Sequence, residues 1–210
     1  MSRSGTDGTE ASEEVDGRRL RREQNREAVL DALVELFAEG LYQPSANDIA
    51  ERAGISPRSL FRYFDDIDDL NRATIERQLA AARPQLDIDV RPDAPTRTKI
   101  ERVVEARMRL FDTIAPAARA ARGYALRHAV VAAHLRESRA HLRDQVRRIF
   151  AAELKGDRAA LLPVLDALCS FETCELLRFD QGLSRAKTVS ALVTALTALL
   201  EPSGGGVVRT

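Results

Sequence analysis

Residues 46–64 read Ala-Asn-Asp-Ile-Ala-Glu-Arg-Ala-Gly-Ile-Ser-Pro-Arg-Ser-Leu-Phe-Arg-Tyr-Phe, and this stretch narrows the possible folds more than any other part of the chain. Ser45 stands where an N-cap is needed, ahead of the short apolar set Ile49, Ala50 and Ala53. Gly54 then ends that helix with a residue that reaches positive φ without strain. Ser56 caps a second start, and Pro57 falls at its first position, where a missing N–H costs nothing. Ala50 is small where two helices must cross closely, and Ile49, Ala53, Ile55 and Leu60 form the apolar patch that sets the angle between them. The spacing predicts a helix-turn-helix. A hairpin that merely packs has no need of Arg58, Ser59 and Arg62 on a short helix whose apolar side is already used, whereas a helix entering a major groove does.

Similar punctuation recurs along the chain. From Arg18 onward Ala28, Val29, Leu33, Leu36 and Phe37 repeat at helical spacing, and Gly40 marks the stop. Residues 1–17 are mainly Gly, Ser, Thr and acid with little to bury, and are expected as a disordered acidic tail. Further helices are expected from the Asp65–Asp69 cluster to Pro84, from Ile100 to near Pro116, and from about Tyr124 to Leu154. A linker is expected over 85–95. Residues 159–180 are apolar on more than one face, with Pro163 in the first turn or at a kink, and the last helix runs from Ser184 to Glu201. No β-rich alternating run occurs, so the chain is expected to be all-α. Its expected organisation is the tail 1–17, a helix-turn-helix domain 18–66, a helical regulatory and dimerisation region 67–201, and a flexible tail 202–210.

Charge and cysteine usage exclude other classes. Lys plus Arg and Asp plus Glu both number 32, so the net charge is zero and any basic surface is local. Arg18, Arg19, Arg21, Arg22 and Arg26 against Glu23 make +4, whereas over 46–65 three arginines balance three acids. Cys169 and Cys174 lie five apart on what reads as one helix, where they diverge too far for a disulfide, so they are expected as small core residues of a cytoplasmic protein. No apolar run approaches the roughly eighteen residues of a membrane span. His134 and His141 are two turns apart, too far to share a zinc without a third element. No Cys/His cluster, phosphate loop, paired-acid motif or nucleophile elbow occurs, so no metal, cofactor or catalytic residue is expected.

The first helix, the motif from Ser45 to Phe64 and the Asp-Asp-Ile-Asp-Asp-Leu that follows at 65–70 resemble the tetracycline-repressor (TetR) family of bacterial regulators. Gln-Gly-Leu-Ser at 181–184, ahead of the final helix, adds to the likeness. The resemblance implies an N-terminal DNA-binding domain, a helical ligand-sensing C-terminal domain and a homodimer built on the last two helices. It places Ser45 near a phosphate, Pro57, Arg58, Ser59 and Arg62 against bases or backbone, and Tyr63 on a phosphate. Two positions depart from the family pattern: Phe61 stands where a phosphate-binding tyrosine is usual, and Ile67 where a lysine is usual. Compensation is expected from the arm, through Arg18, Arg19, Arg21 and Arg22, which would carry most of the salt-dependent affinity.

A sensed ligand would need an apolar cavity among the middle helices with a few polar groups. Met108, Phe111, Tyr124, His128, Phe171 and Arg178 are the candidate lining residues, although the same periodicity marks ordinary core packing. The last two helices hold more apolar surface than a monomer buries. Leu165, Leu168, Leu176, Leu192, Ala195 and Leu196 are therefore the expected interface, with Ala191, Ala195 and Ala198 permitting close approach. The expected partners are duplex DNA with a pseudo-palindromic site, a second copy of the chain and an unidentified small-molecule effector, with no membrane. An all-α adaptor protein is the competing reading.

Overall fold

A computed structural model describes residues 7–201, with side chains from Gly17 onward apart from Arg18, Leu79 and Arg83. The expectations for residues 1–6 and 202–210 lie outside the described residues. All regular structure among them is helical. The elements are α1 (Asp7–Ala38), α2 (Ala46–Arg52), α3 (Pro57–Leu60), α4 (Ile67–Ala82), α5 (Thr96–Ala125), α6 (Ala129–Ile149), α7 (Leu162–Leu168), α8 (Phe171–Glu175) and α9 (Arg185–Leu200). Short 3₁₀ turns occupy Arg83–Gln85 and Gly156–Leu161, and a π-helical turn occupies Leu176–Asp180. No helix among the described residues is long and apolar enough to cross a membrane.

The chain divides into two compact units, one holding the residues up to Gln78 together with Pro116–Gly123, the other Leu79–Ala115 and the residues from Tyr124 on. In the first unit, Val29, Leu33 and Phe37 of α1 meet Ile49 and Ala50 of α2, Leu60 of α3 and Leu70 of α4 in one apolar cluster that excludes solvent. This burial orders helices as short as α3, which would not persist alone.

In the second unit two buried cations interrupt the apolar core. The Lys99 ammonium donates to both oxygens of Glu153, at 3.1 and 3.3 Å, and the Thr96 hydroxyl donates to the same carboxylate. The Arg107 guanidinium, 2% exposed, donates to Gln145 Oε1 and to the Leu142 carbonyl, both at 2.9 Å. Such pairing is what keeps a buried charge tolerable.

Four expectations change. The helix expected from Arg18 begins at Asp7, so residues 7–17, expected as a tail, are helical. The helix expected to end near Pro116 continues to Ala125 with Pro116 inside it. Proline has no N–H to offer the Asp112 carbonyl, so the helix runs through Pro116 without that one backbone bond. The stretch from Tyr124 to Leu154 is interrupted by Leu126 and Arg127 before α6. Finally, the apolar segment 159–180 is not one helix. Cys169 ends α7, and Ser170 restarts the chain by accepting the Thr173 N–H at 3.2 Å, so the two buried, free cysteines sit on different helices.

Candidate nucleic-acid interface

The hairpin is fixed by its caps before any tertiary contact is counted. Ser45 Oγ accepts the Asp48 N–H at 3.2 Å, and the Asp48 carboxylate accepts the Ser45 N–H at 2.8 Å, a reciprocal capping box at the start of α2. The Ser45 hydroxyl also donates to that carboxylate at 2.7 Å, and this bond first, with the backbone bond second, holds the Asp48 carboxyl below its ordinary pKa. Gly54, at φ +67, turns the chain, and the Ile55 N–H closes the turn on the Ala50 carbonyl at 3.0 Å. Ser56 Oγ accepts the Ser59 N–H at 3.2 Å, and Pro57 occupies the first turn of α3.

What remains exposed on the second helix follows from what the core takes. Leu60 and Phe64 go inward, which leaves Pro57, Arg58, Phe61 and Arg62 facing solvent and Ser59 half-buried. Arg58 and Arg62 form no ion pair among the described residues. Arg52 is different: its guanidinium meets the two oxygens of Glu39 at 2.9 and 2.8 Å and lies 3.4 Å from Glu35. Its charge is spent within the protein. Tyr63 is half-buried and its hydroxyl accepts the Asn25 side-chain amide of α1 at 3.1 Å, leaving the phenolic proton available. Ile67, the other departure from the family pattern, packs against the core of the unit.

Arg19, Arg21 and Arg22 are exposed on α1, about two to three turns before Val29, the first wholly buried residue. Arg18 lies on the same helix with its side chain outside the described residues. Arg26 does not belong with them, because its guanidinium lies over the Phe64 ring at 5.1 Å and beside Glu27 at 3.4 Å. Sequence reasoning passed over Asn25. Its position three and four residues before Ala28 and Val29 puts it on the face of α1 that turns to the hairpin, and that periodicity was the available signal.

The residues expected at a ligand site separate. Met108, Phe111 and Phe171 are buried together, with the two phenyl rings edge to face at 5.5 Å. Met108 and Phe111 border a void of only about 10 Å³, shared with Arg107, Cys169 and Cys174. Tyr124 and His128 stack on each other at 5.5 Å, away from that void. Arg178 pairs with Asp112, which also accepts from Arg185 at 3.0 Å. The expected dimer contacts need correction as well. Leu165, Leu192 and Leu196 are shut inside their own chain's core, because α7 and α9 turn those faces inward. Leu168 and Ala195 are half-buried and Leu176 is exposed. Val164, Leu176 and Phe179, with Ala191 and Ala198, are the apolar groups this region leaves open.

Residues 29–74 match the profile of the bacterial regulatory proteins of the tetR family. Among solved structures, a transcriptional regulator from Rhodococcus sp. Rha1 superposes with a TM-score of 0.68 at 15% identity, over 84% of this chain and 96% of that one. A TetR-like transcriptional regulator from Rhodococcus sp. RHA1 gives 0.64 at 20% identity, over 87% and 97%. A tetR-family transcriptional regulator from Streptomyces coelicolor gives 0.65 at 23% identity, over 84% and 80%. At these identities the likeness is one of fold. No curated protein sequence matches this chain.

Proposed function

We propose that this chain is a TetR-family transcriptional regulator that acts as a homodimeric, ligand-responsive repressor on a pseudo-palindromic operator, a reading supported by the match of residues 29–74 and by the likeness of fold. The observation that carries this reading is the division of arginines in the hairpin. Arg52 is neutralised by Glu39, while Arg58 on the short second helix and Arg62 in the turn after it stand exposed without a carboxylate partner among the described residues. A packing hairpin has no use for two uncompensated guanidinium groups there.

In this reading residues 18–66 are the DNA-binding domain and 67–201 the regulatory and dimerisation region. Arg58 and Ser59 read base edges, helped by Arg62 and the close approach that Pro57 allows. Ser45 at the N-terminus of α2 and the Tyr63 hydroxyl bind phosphates, and Arg18, Arg19, Arg21 and Arg22 follow the backbone. A second copy covers Leu176 and its exposed neighbours, which gives the two-fold axis that the operator mirrors. An effector bound in the regulatory region favours one of two arrangements and so changes operator affinity. The protein works in the cytoplasm, where the operator lies and free thiols persist.

Selection of duplexes from random DNA by the purified protein at two salt concentrations tests this. Enrichment of a palindrome supports a dimeric reader. Salt-sensitive but sequence-blind binding leaves the arm as the sole DNA contact, and no binding at either salt returns the chain to an all-α interaction protein.

A further inference from the structure

α6 carries Arg136, Arg139, Arg143 and Arg147 at intervals of three, four and four residues, so they share one face over about 16 Å of helix. With Leu162 and Asp166 of α7 they border an open groove of about 480 Å³, the size of an ordinary small-molecule site. Two of the four are paired, Arg139 with Glu172 of α8 and Arg147 with Asp144 at 3.0 Å. Arg136 and Arg143 have no carboxylate within 4.0 Å among the described residues. Arg139 and Arg143, and again Arg143 and Arg147, are like charges four apart, a spacing that destabilises a helix. Because the chain as a whole has no net charge, this concentration is not the overflow of a basic protein.

Asp166 is the carboxylate whose charge acts on Arg143. Burial holds the Asp166 carboxyl above its ordinary pKa, with Glu172 adding to the shift, against the opposing pull of Arg143 and Arg107. Asp144, the other acid on the groove, is already engaged by Arg147. Ala140 sits between Arg136 and Arg143 and leaves the floor open. Leu162 supplies one apolar wall.

We propose that this groove binds a small molecule carrying two or more phosphate groups, with Arg136 and Arg143 as its principal anchors and Leu162 against its apolar part. Guanidinium forks match phosphate oxygens two at a time, and two forks about two turns apart suit linked phosphates better than a single anion. This binding claim stands apart from the DNA reading above and is tested without it.

Titration calorimetry of the full chain with inorganic pyrophosphate and with a nucleoside diphosphate, at about 0.15 M salt, is the experiment. Saturable one-site binding is expected. Arg136→Gln and Arg143→Gln should each weaken it by about tenfold, the ordinary loss for one charge-assisted contact. Arg143→Lys should recover part of that loss, and Arg102→Gln, at an exposed arginine of α5, should leave binding unchanged. Circular dichroism of each variant separates lost binding from lost fold. Three results overturn the proposal: neither ligand binds the native chain, Arg102→Gln weakens binding as much as Arg143→Gln, or sulfate at equal ionic strength competes as well as pyrophosphate. A fourth does so by reassignment, if Arg136→Gln and Arg143→Gln spare pyrophosphate binding but lower duplex affinity and its salt slope.

Discussion

Replacing single arginines in the N-terminal unit separates the charges that reach DNA from those the protein has already neutralised. Arg22 is exposed on α1 and has no ion pair among the described residues. Arg52 carries the same formal charge but is clamped by both oxygens of Glu39 at 2.9 and 2.8 Å. If Arg22 contacts one phosphate, Arg22→Ala removes one set of released counterions and lowers the slope of log affinity against log salt by about 0.9. Over a fourfold salt increase, from about 50 to about 200 mM, the gap between native and variant affinities then narrows by roughly 3.5-fold. The double variant Arg52→Gln with Glu39→Gln keeps the local charge constant and removes no phosphate contact, so its slope should match the native one. Arg58→Ala should flatten base preference, whereas Arg22→Ala should weaken operator and random duplexes alike. Fluorescence anisotropy over a salt series, on one selected and one scrambled duplex, reads all three. The reasoning fails if the Arg52/Glu39 variant loses slope as Arg22→Ala does, or if Arg22→Ala acts on the operator alone.

Burial divides the apolar residues of the last helices in a way that equilibrium measurements can resolve. Leu196 is fully buried, so Leu196→Ala should cost ~3 kcal/mol in urea denaturation, while Leu176→Arg, at an exposed position, should shift light scattering toward the monomer and leave helicity intact. A dimer untouched by Leu176→Arg would move the interface elsewhere. The Asp48 carboxyl is depressed by its bonds from Ser45, so the stability lost in Ser45→Ala should be fully present above the ordinary aspartate pKa. The part that comes from the hydroxyl bond to the carboxylate should disappear as pH falls through the lower folded-state value, leaving the part due to the bond from the Asp48 N–H, and a difference that instead grows in acid would contradict the capping account. The Cys169 thiol is pushed up to about 11 by burial, so in the native protein at neutral pH it should react with a thiol reagent only as fast as the fold opens, and peroxide should leave duplex affinity unchanged. Rapid native labelling at Cys169 would refute this.

The hairpin was readable because its signals are local. Ser45, Gly54, Ser56 and Pro57 act through dihedral preference and hydrogen bonds that span three or four residues, and the structure finds each in its expected role. Helix identity followed in the same way from apolar spacing, and the overall family was carried by residues 45–70. Boundaries failed where a local preference met a tertiary contact or an exposed surface. Pro116 reads as a stop, yet α5 continues through it to Ala125 at the loss of a single backbone bond. Ser170 reads as an ordinary helical position, yet it restarts the chain between two cysteines.

Which face of a helix turns inward is a property of its neighbours rather than of its own periodicity. Leu196 and Leu176 are equally apolar in one dimension, and only the packing of α9 and the π-helical turn hides one and leaves the other open. The same holds for charge. Arg52, Arg58 and Arg62 are interchangeable in a sum over the motif, but Glu39, thirteen residues before Arg52, reaches only the first of them. Local chemistry therefore fixed the helices, the caps and the turn, whereas the availability of each side chain depended on contacts between residues distant in sequence, which no pattern along a single chain encodes.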